Sequence, residues 1–303
     1  MIRHGLLLLD KPYGCTSHDV VMQARRQLRQ KKIGHCGTLD PAATGLLLMT
    51  VGRATRLTRF LIRAPKVYEG IARFGVETDT YDTQGEVVAE KPIDGLEMPA
   101  IQEAMETFVG TYLQQPPPYC AKKVGGVKYY ELARRGEKVP DDKKEVTVYE
   151  YRHLEALKDA EMPFLMSCSS GTYARSLVHD LGAALGCGGT LAGLRRTQIG
   201  AFQLSDAVTV EELEKRMNSD EDLGTAWVPF DEIQLPFDEI VADQQQERRL
   251  KNGQTVLIRD LAGSEGDWLK VRNQRREFIA VGSVVERIGA GGVGVVQPKV
   301  VFN

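Results

Sequence analysis

Apolar and polar positions follow two rhythms along this chain, and the places where one gives way to the other mark its elements. Leu6 to Leu9 is a short, unbroken apolar block closed by Asp10-Lys11-Pro12, which predicts a buried strand. Val20, Val21, Ala24 and Leu28 then recur on one helical face across Asp19 to Gln30, with Thr16 or Ser17 placed to cap the first turn. That helix ends in the basic cluster Arg25, Arg26, Arg29, Lys31 and Lys32. Gly34 to Gly45 has no period and contains Gly37 and Pro41, so it reads as a turn-rich loop. Leu46 to Val51 is again almost wholly apolar and suits a strand covered on both faces. Arg53 to Arg63 predicts a helix with Leu57, Phe60 and Leu61 inward and Arg56, Arg59 and Arg63 outward.

From Lys66 the rhythm becomes strand-like, with Tyr68 to Phe74, an acidic turn, and Gly85 to Ala89. Ile101 to Val109 predicts a short helix, and Gln114 to Pro118 a proline-rich break. Lys122 to Lys138 interleaves six basic residues with Tyr129 and Tyr130 before a charged linker. Val146 to Leu157 and Pro163 to Ser169 predict strands; Thr172 to Leu185 predicts a helix stopped at Gly186. Asp220 to Pro236 is acidic and aperiodic, as a linker would be. Beyond it, Thr255 to Ile258, Trp268 to Val271, Phe278 to Val281 and Val293 to Val296 form short strands between turns, the pattern of a small β-barrel. Strands and helices without regular βαβ alternation give an α+β main unit.

The chain has 303 residues, with 42% hydrophobic and 26% charged, a composition that leaves a soluble globular protein of one large and one small unit. No apolar run reaches the ~20 residues of a membrane span, and Leu6 to Leu9 is too short for a signal segment and lacks a cleavage site. A cytoplasmic location is expected. Cys15, Cys36, Cys120, Cys168 and Cys187 are odd in number and never at C-x-x-C spacing, which argues against a disulfide framework or a zinc site. Net charge is only −2, but it is unevenly spread. Residues 1–68 hold 12 Lys and Arg against Asp10, Asp19 and Asp40, a balance of +9; residues 205–250 hold 13 acids against four basic residues, a balance of −9. Such a separation permits a basic face for phosphates on a nearly neutral chain, although charge runs are commonly just solvated surfaces.

The chemistry is concentrated in Gly34-His35-Cys36-Gly37-Thr38-Leu39-Asp40-Pro41-Ala42-Ala43-Thr44-Gly45. An Asp before proline is held extended, and the glycines let the backbone turn tightly, so Asp40 is presented from a stiff bend just ahead of a buried strand. Alone, an Asp-Pro pair is most simply a turn. The whole segment, however, resembles the G-H-x-G-T-L-D-P-x-A-T-G loop of tRNA pseudouridine-55 synthases of the TruB type. Further segments match in order: Asp10-Lys11-Pro12-Tyr13-Gly14-Cys15-Thr16-Ser17, then Lys66-Val67-Tyr68 with Thr78-Asp79-Thr80-Tyr81-Asp82, and Pro116-Pro117-Pro118-Tyr119-Cys120-Ala121-Lys122-Lys123. Gly171-Thr172-Tyr173-Ala174-Arg175-Ser176-Leu177 and Leu194-Arg195-Arg196-Thr197 complete the set. Cys120 stands where the family has Ser, and Lys122 fills a variable position; neither touches the catalytic loop.

The resemblance implies a pseudouridine synthase fold, with a central mixed and largely antiparallel sheet flanked by helices and loops. It implies a catalytic domain over 1–236, an RNA-binding insertion over about 66–145, and a PUA-like RNA-binding domain over 237–303. It makes Asp40 the catalytic residue, Arg175 its cationic partner, and Tyr68 the aromatic that stacks on the target uracil, with a hydroxyl able to take part in moving the C5 proton. Tyr173 and Leu194 become walls of the uracil pocket, and His35 fills the space left by the displaced base. Arg25, Arg26, Arg29, Lys31, Lys32, Lys122, Lys123 and Lys128 are the candidates for phosphate contacts. Without the resemblance, Arg175 reads as a helix-surface residue, Tyr68 as core and His35 as a loop histidine.

The implied reaction isomerises uridine 55 in the T loop of tRNA. It breaks the N1–C1′ bond, rotates the uracil and joins C5 to C1′, with no net redox change, so it needs neither a metal nor any other cofactor. The chain carries no G-x-G-x-x-G, P-loop or metal-ligand spacing. Asp79 and Asp82 suggest calcium, but Tyr81 and Thr83 break the ligand spacing and no Glu closes the loop, so a hairpin turn is the better reading. The expected partner is the tRNA T arm, flipped open at the target, with no membrane and no obligatory protein, for a monomer. Two other readings share these features: an RNA-binding tRNA folding factor with secondary catalysis, and a guided synthase inside a ribonucleoprotein. The sequence leaves open whether Asp40 attacks C1′ or drives elimination through the sugar.

Overall fold

Both continuous apolar runs near the start become central strands, and their two faces belong to two different cores. In β1 (Gly5–Lys11), Leu6 and Leu8 point into one cluster while Leu7 and Leu9 point into another. In β3 (Thr44–Val51), Leu46 and Leu48 share the first cluster, and Leu47, Met49 and Val51 the second. Side chains alternate along a strand, so a strand covered on both sides needs apolar residues at every position. Between them lie α1 (Ser17–Gln27) and β2 (Ile33–His35). Thr16 caps α1 in a reciprocal box with Asp19, and Val20, Val21 and Ala24 are its buried face. The structure is a computed structural model describing residues 3–120, 123–124, 127–128, 142–289 and 292–302.

Next come α2 (Thr58–Leu61), β4 (Lys66–Phe74), β5 (Val76–Thr78), β6 (Val87–Glu90), α3 (Met98–Glu106) and β7 (Gly110–Gln114). β8 (Lys123–Val124) and β9 (Val127–Lys128) form a two-stranded pair. β10 (Lys144–His153), β11 (Glu161–Cys168), α4 (Ala174–Ala184), β12 (Gly189–Ile199), β13 (Phe202–Gln203), β14 (Val208–Thr209), α5 (Val210–Asn218) and β15 (Trp227–Pro229) complete the main unit. Its sheet runs β14-β1-β3-β12-β4-β11-β10-β7, with β2, β13 and β15 attached beside this path. Only the β1–β14 and β3–β12 pairings are parallel, so the sheet is mixed and largely antiparallel, as expected. The Asp79–Asp82 turn joins β5 to β6 as a hairpin.

Three expectations are corrected. β12 was not foreseen, although it lies at the middle of the sheet, parallel to β3 and antiparallel to β4. The helix over Arg53 to Arg63 is a 3-10 turn at Gly52–Leu57 followed by the single α-turn of α2. Its arginines are not simply turned to water: Arg56 donates to the Val301 carbonyl and lies over the Phe302 ring, and Arg59 lies over Phe60 and Trp268. The acidic linker over Asp220 to Pro236 is ordered structure, because Trp227–Pro229 pairs with β1 and Phe230 and Ile233 are buried.

A second sheet follows, built from β16 (Asp238–Ala242), β17 (Val256–Ile258), β18 (Trp268–Asn273), β19 (Phe278–Ile288) and β20 (Val293–Val301) in the order β16-β18-β19-β20-β17. With α6 (Gln244–Lys251) it encloses its own apolar cluster around Leu250, Leu269, Val271 and Val296. Phe278, Val281, Val300 and Phe302 leave this sheet to join Phe60, Phe230 and the β1 leucines in a shared core. Phe230 stacks on Phe278 at 5.2 Å and meets Phe302 edge-on at 4.8 Å.

Candidate active site

The bend between β2 and β3 is fixed from several directions before any side chain acts. Ser17 Oγ donates to the Leu39 carbonyl at 3.0 Å and accepts from the Leu39 amide at 2.9 Å. Lys11, fully buried, spreads its ammonium over the carbonyls of Pro12, Pro41 and Ala43 at 2.9, 3.3 and 2.6 Å. The Gly14 amide adds a bond to the Pro41 carbonyl, and the Ala43 amide closes the turn on the Asp40 carbonyl. Gly45, at φ 99°, lets the start of β3 lie close against its parallel neighbour β12: a Cβ there would lie 2.3 Å from the Arg196 carbonyl.

Asp40 projects from this bend with 48% of its side chain exposed, while its partner is buried: Arg175 Nη2 stands 2.9 Å from Asp40 Oδ2 with 7% exposure. Arg175 occupies the first turn of α4, a helix that turns Leu177 and Leu181 into the core. Its remaining donors reach the Thr80 carbonyl at 3.0 Å, the Tyr119 carbonyl at 3.1 Å and Asp82 Oδ2 at 3.5 Å. A planar fork suits this task, since one cation has to meet acceptors in several directions at once. The Gln114 side-chain amide pairs with the backbone N–H and carbonyl of Tyr173 at 2.8 and 3.1 Å, and so fixes the start of α4.

Asp40 and Arg175 share a cavity of about 380 Å³ with Tyr68, Tyr173, Leu194, Lys66, Cys120 and Arg196. Of the residues expected at the site, Asp40, Tyr68, Tyr173, Arg175 and Leu194 are thus brought together. His35 is not among the lining residues; it lies on β2, half-buried, and burial pushes its imidazole pKa down. Arg26, Arg29, Lys31 and Lys32 are exposed, whereas Arg25 donates to the Ile33 carbonyl at 2.9 Å. Lys123 and Lys128 pair across β8–β9. Lys122 and most of the basic stretch to Lys138 lie outside the described residues.

Arg196 is the residue that sequence reasoning missed. It is fully buried, and its Nε and Nη2 donate to the carbonyls of Leu46 and Gly37 at 2.8 and 3.0 Å, bracketing the bend that carries Asp40. Its guanidinium carbon lies 6.0 Å from the Tyr68 ring centroid. The signal was present in Leu194-Arg195-Arg196-Thr197, but nothing local says which arginine turns inward.

Burial keeps the thiols and phenols around the cavity in their neutral forms. Burial pushes the Cys36 thiol up to about 12 and Cys168 up to about 11, so neither supplies a thiolate at neutral pH. Burial also raises the Tyr68 and Tyr173 phenols, which stay protonated. Among the described residues, no group of three or more His, Cys, Asp or Glu is arranged to hold a metal ion.

The architecture is that of the pseudouridine synthase fold. It is similar to the solved archaeal box H/ACA sRNP Nop10–Cbf5 complex, with 25% identity and a TM-score of 0.73 over 100% of this chain and 87% of that one. An H/ACA RNP bound to a substrate RNA containing 2′-deoxyuridine, at 23% identity and a TM-score of 0.74, shares the fold across 100% of this chain and 86% of its own. The family model described as TruB family pseudouridylate synthase, N-terminal domain, matches residues 25–174, and that of the tRNA pseudouridylate synthase B C-terminal domain matches 175–242. Proteins called tRNA pseudouridine synthase B are similar over most of their length. The one from Solibacter usitatus is 41% identical over 93% of this chain and 96% of its own; that from Ralstonia pickettii is 40% identical over 98% and 93%. The relative from Aquifex aeolicus is 40% identical over 84% and 88%. This chain belongs to the TruB family of pseudouridylate synthases.

Proposed function

We propose that this enzyme converts uridine 55 in the T loop of tRNA to pseudouridine, with Asp40 as the catalytic carboxylate. The observation that carries the proposal is the Asp40–Arg175 pair at 2.9 Å, inside a cavity with Tyr68, Tyr173 and Leu194. At about 380 Å³ the cavity lies within the ~300–1,000 Å³ typical of small-molecule sites. A base inside a folded T loop cannot reach it, so the nucleotide is flipped out, at a cost of a few kcal/mol offset by stacking and phosphate contacts.

In the pocket Tyr68 stacks on the uracil, and Tyr173 and Leu194 hold its edges. Arg175 pairs with the Asp40 carboxylate and aims it at the ribose. The N1–C1′ bond breaks, the uracil turns while still enclosed, and C5 bonds to C1′; the C5 proton leaves and N1 gains one. Asp40 serves either as nucleophile at C1′ or as base for the 2′ proton. His35, kept neutral by burial, fills the gap in the loop left by the displaced base. Arg26, Arg29, Lys31 and Lys32 contact phosphates, and residues 237–303 act as a PUA-like module on the same RNA. The enzyme works on bare tRNA as a cytoplasmic monomer, without guide RNA or protein partner; the names of the bacterial relatives, matched over nearly their whole length, support the tRNA substrate.

The test is Asp40→Asn with tRNA transcript labelled with tritium at uridine C5. Release is expected to vanish while tRNA binding persists, and a transcript with cytidine at position 55 is expected to stay unmodified. Normal turnover by Asp40→Asn sinks the proposal. Refolding of misfolded tRNA by the same variant measures any secondary role as a folding factor.

A further inference from the structure

Tyr81 holds φ at 63°, a region that bulky side chains rarely adopt. Its ring stacks on His179, with centroids 3.7 Å apart and planes 27° from parallel. His179 follows Arg175 by four residues on α4, so the two side chains leave the same helix face. The neighbours of Tyr81 on either side are the two residues that Arg175 Nη1 meets: the Thr80 carbonyl at 3.0 Å and the Asp82 carboxylate at 3.5 Å.

The turn is separately stitched to β12. The Leu191 amide donates to the Tyr81 carbonyl at 3.0 Å, and the Thr83 amide to the Leu191 carbonyl at 3.1 Å. Those bonds register the turn on the sheet, but they do not tie it to α4. Beyond the contacts of Arg175 itself, that connection is made by the Tyr81 and His179 rings. Neither ring lines the Asp40 cavity, yet the backbone is held in an unfavourable conformation that brings them together.

We infer that the Tyr81–His179 stack is a positioning clamp, which holds the Thr80–Asp82 turn against α4 so that Arg175 stays aimed at Asp40 as RNA enters. The inference rests on the proposed role of the Asp40–Arg175 pair. If the turn moves, the acceptors of Nη1 move with it, and a misplacement of about 1 Å near a reacting group can slow a reaction by up to ~100-fold.

Tyr81→Gly is the decisive variant, because glycine accepts the backbone conformation while the ring is lost. With tRNA transcript, kcat is expected to fall about fivefold to tenfold, the size of one aromatic pair, with KM unchanged within about twofold. Tyr81→Phe keeps the stack and restores the rate. His179→Ala gives a similar fall, and the double variant falls no further. A wild-type kcat in Tyr81→Gly overturns the clamp, as does a raised KM with intact kcat, which makes the ring an RNA contact. Wild-type protein inert on tRNA overturns the proposed function instead. The clamp is then read by NMR from rotation of the Arg175 guanidinium, slow in wild type and fast in Tyr81→Gly; equal rotation overturns it.

Discussion

Arg175 holds two carboxylates with one guanidinium, Asp40 at 2.9 Å through Nη2 and Asp82 at 3.5 Å through Nη1. The cation is buried and Asp40 is half open, so the charge is supplied from inside the protein and used at its surface. A lysine would restore the charge but not the two-sided reach. Arg175→Lys is therefore expected to lower kcat by about 100-fold with tRNA affinity retained. Single-turnover kinetics check this, and a rate within threefold of wild type would show that charge alone suffices.

Arg196 ties both ends of the catalytic bend from a fully buried position. Arg196→Met leaves the Gly37 and Leu46 carbonyls without that donor, a loss of about 2–4 kcal/mol in urea denaturation. Activity is expected to fall more than fold content, because the bend carries Asp40.

Gly45 and Gly14 both have positive φ, at 99° and 85°, but their surroundings differ. A Cβ on Gly45 meets the Arg196 carbonyl at 2.3 Å, whereas a Cβ on Gly14 meets nothing within 4 Å. Gly45→Ala is expected to cost at least about 3 kcal/mol and Gly14→Ala only about 1 kcal/mol. Equal losses in parallel melts would contradict the close approach of β3 to β12.

Lys66 is buried beside Arg196, and its burial first, then that arginine, pull its ammonium down to about 8. In the unfolded chain it titrates near ~10.4. Between these values the unfolded chain holds a proton that the folded protein has released, so stability rises with pH from about 8 to 10.5. Lys66→Met lacks this rise. The difference between the two proteins should change by about 3 kcal/mol across that window, read from urea midpoints at each pH.

Phe302 directly follows β20, the last strand of the second sheet, and packs in the core shared with β1. Wild-type protein is expected to melt in one calorimetric transition. Phe302→Ala should cost about 3–5 kcal/mol and separate the melting of the two sheets. One unbroken transition in the variant would show that the junction is held elsewhere.

What the sequence revealed depended on where each residue finds its partners. Thr16 with Val20, Val21 and Ala24 declares α1 because cap and buried face lie within three turns. Leu46 to Met49 declares β3 because coverage on both faces demands apolar side chains throughout. β12 was hidden, since Arg195 and Arg196 break any apolar run; Arg196 is tolerated inside only because distant carbonyls accept its hydrogen bonds. Trp227 looked like a linker residue because its strand partner, Leu7, lies more than two hundred positions away, and Phe230 because its ring partners, Phe278 and Phe302, come only after the next several elements. Asp40 and Arg175 were legible through ordered motifs. Asp82, read as a turn former, gave no local sign that it shares the same guanidinium; His35, expected to fill the space left by the displaced base, lies on β2 outside the cavity lining.

The ammonium of Lys11, clasped by three carbonyls, has a mechanical consequence. A bend stapled in this way has little compliance, so the movement needed to join enzyme and uridine has to come from the polynucleotide. Turnover should then track how readily each tRNA elbow yields, and transcripts stiffened there should be poor substrates for reasons unrelated to their base sequence.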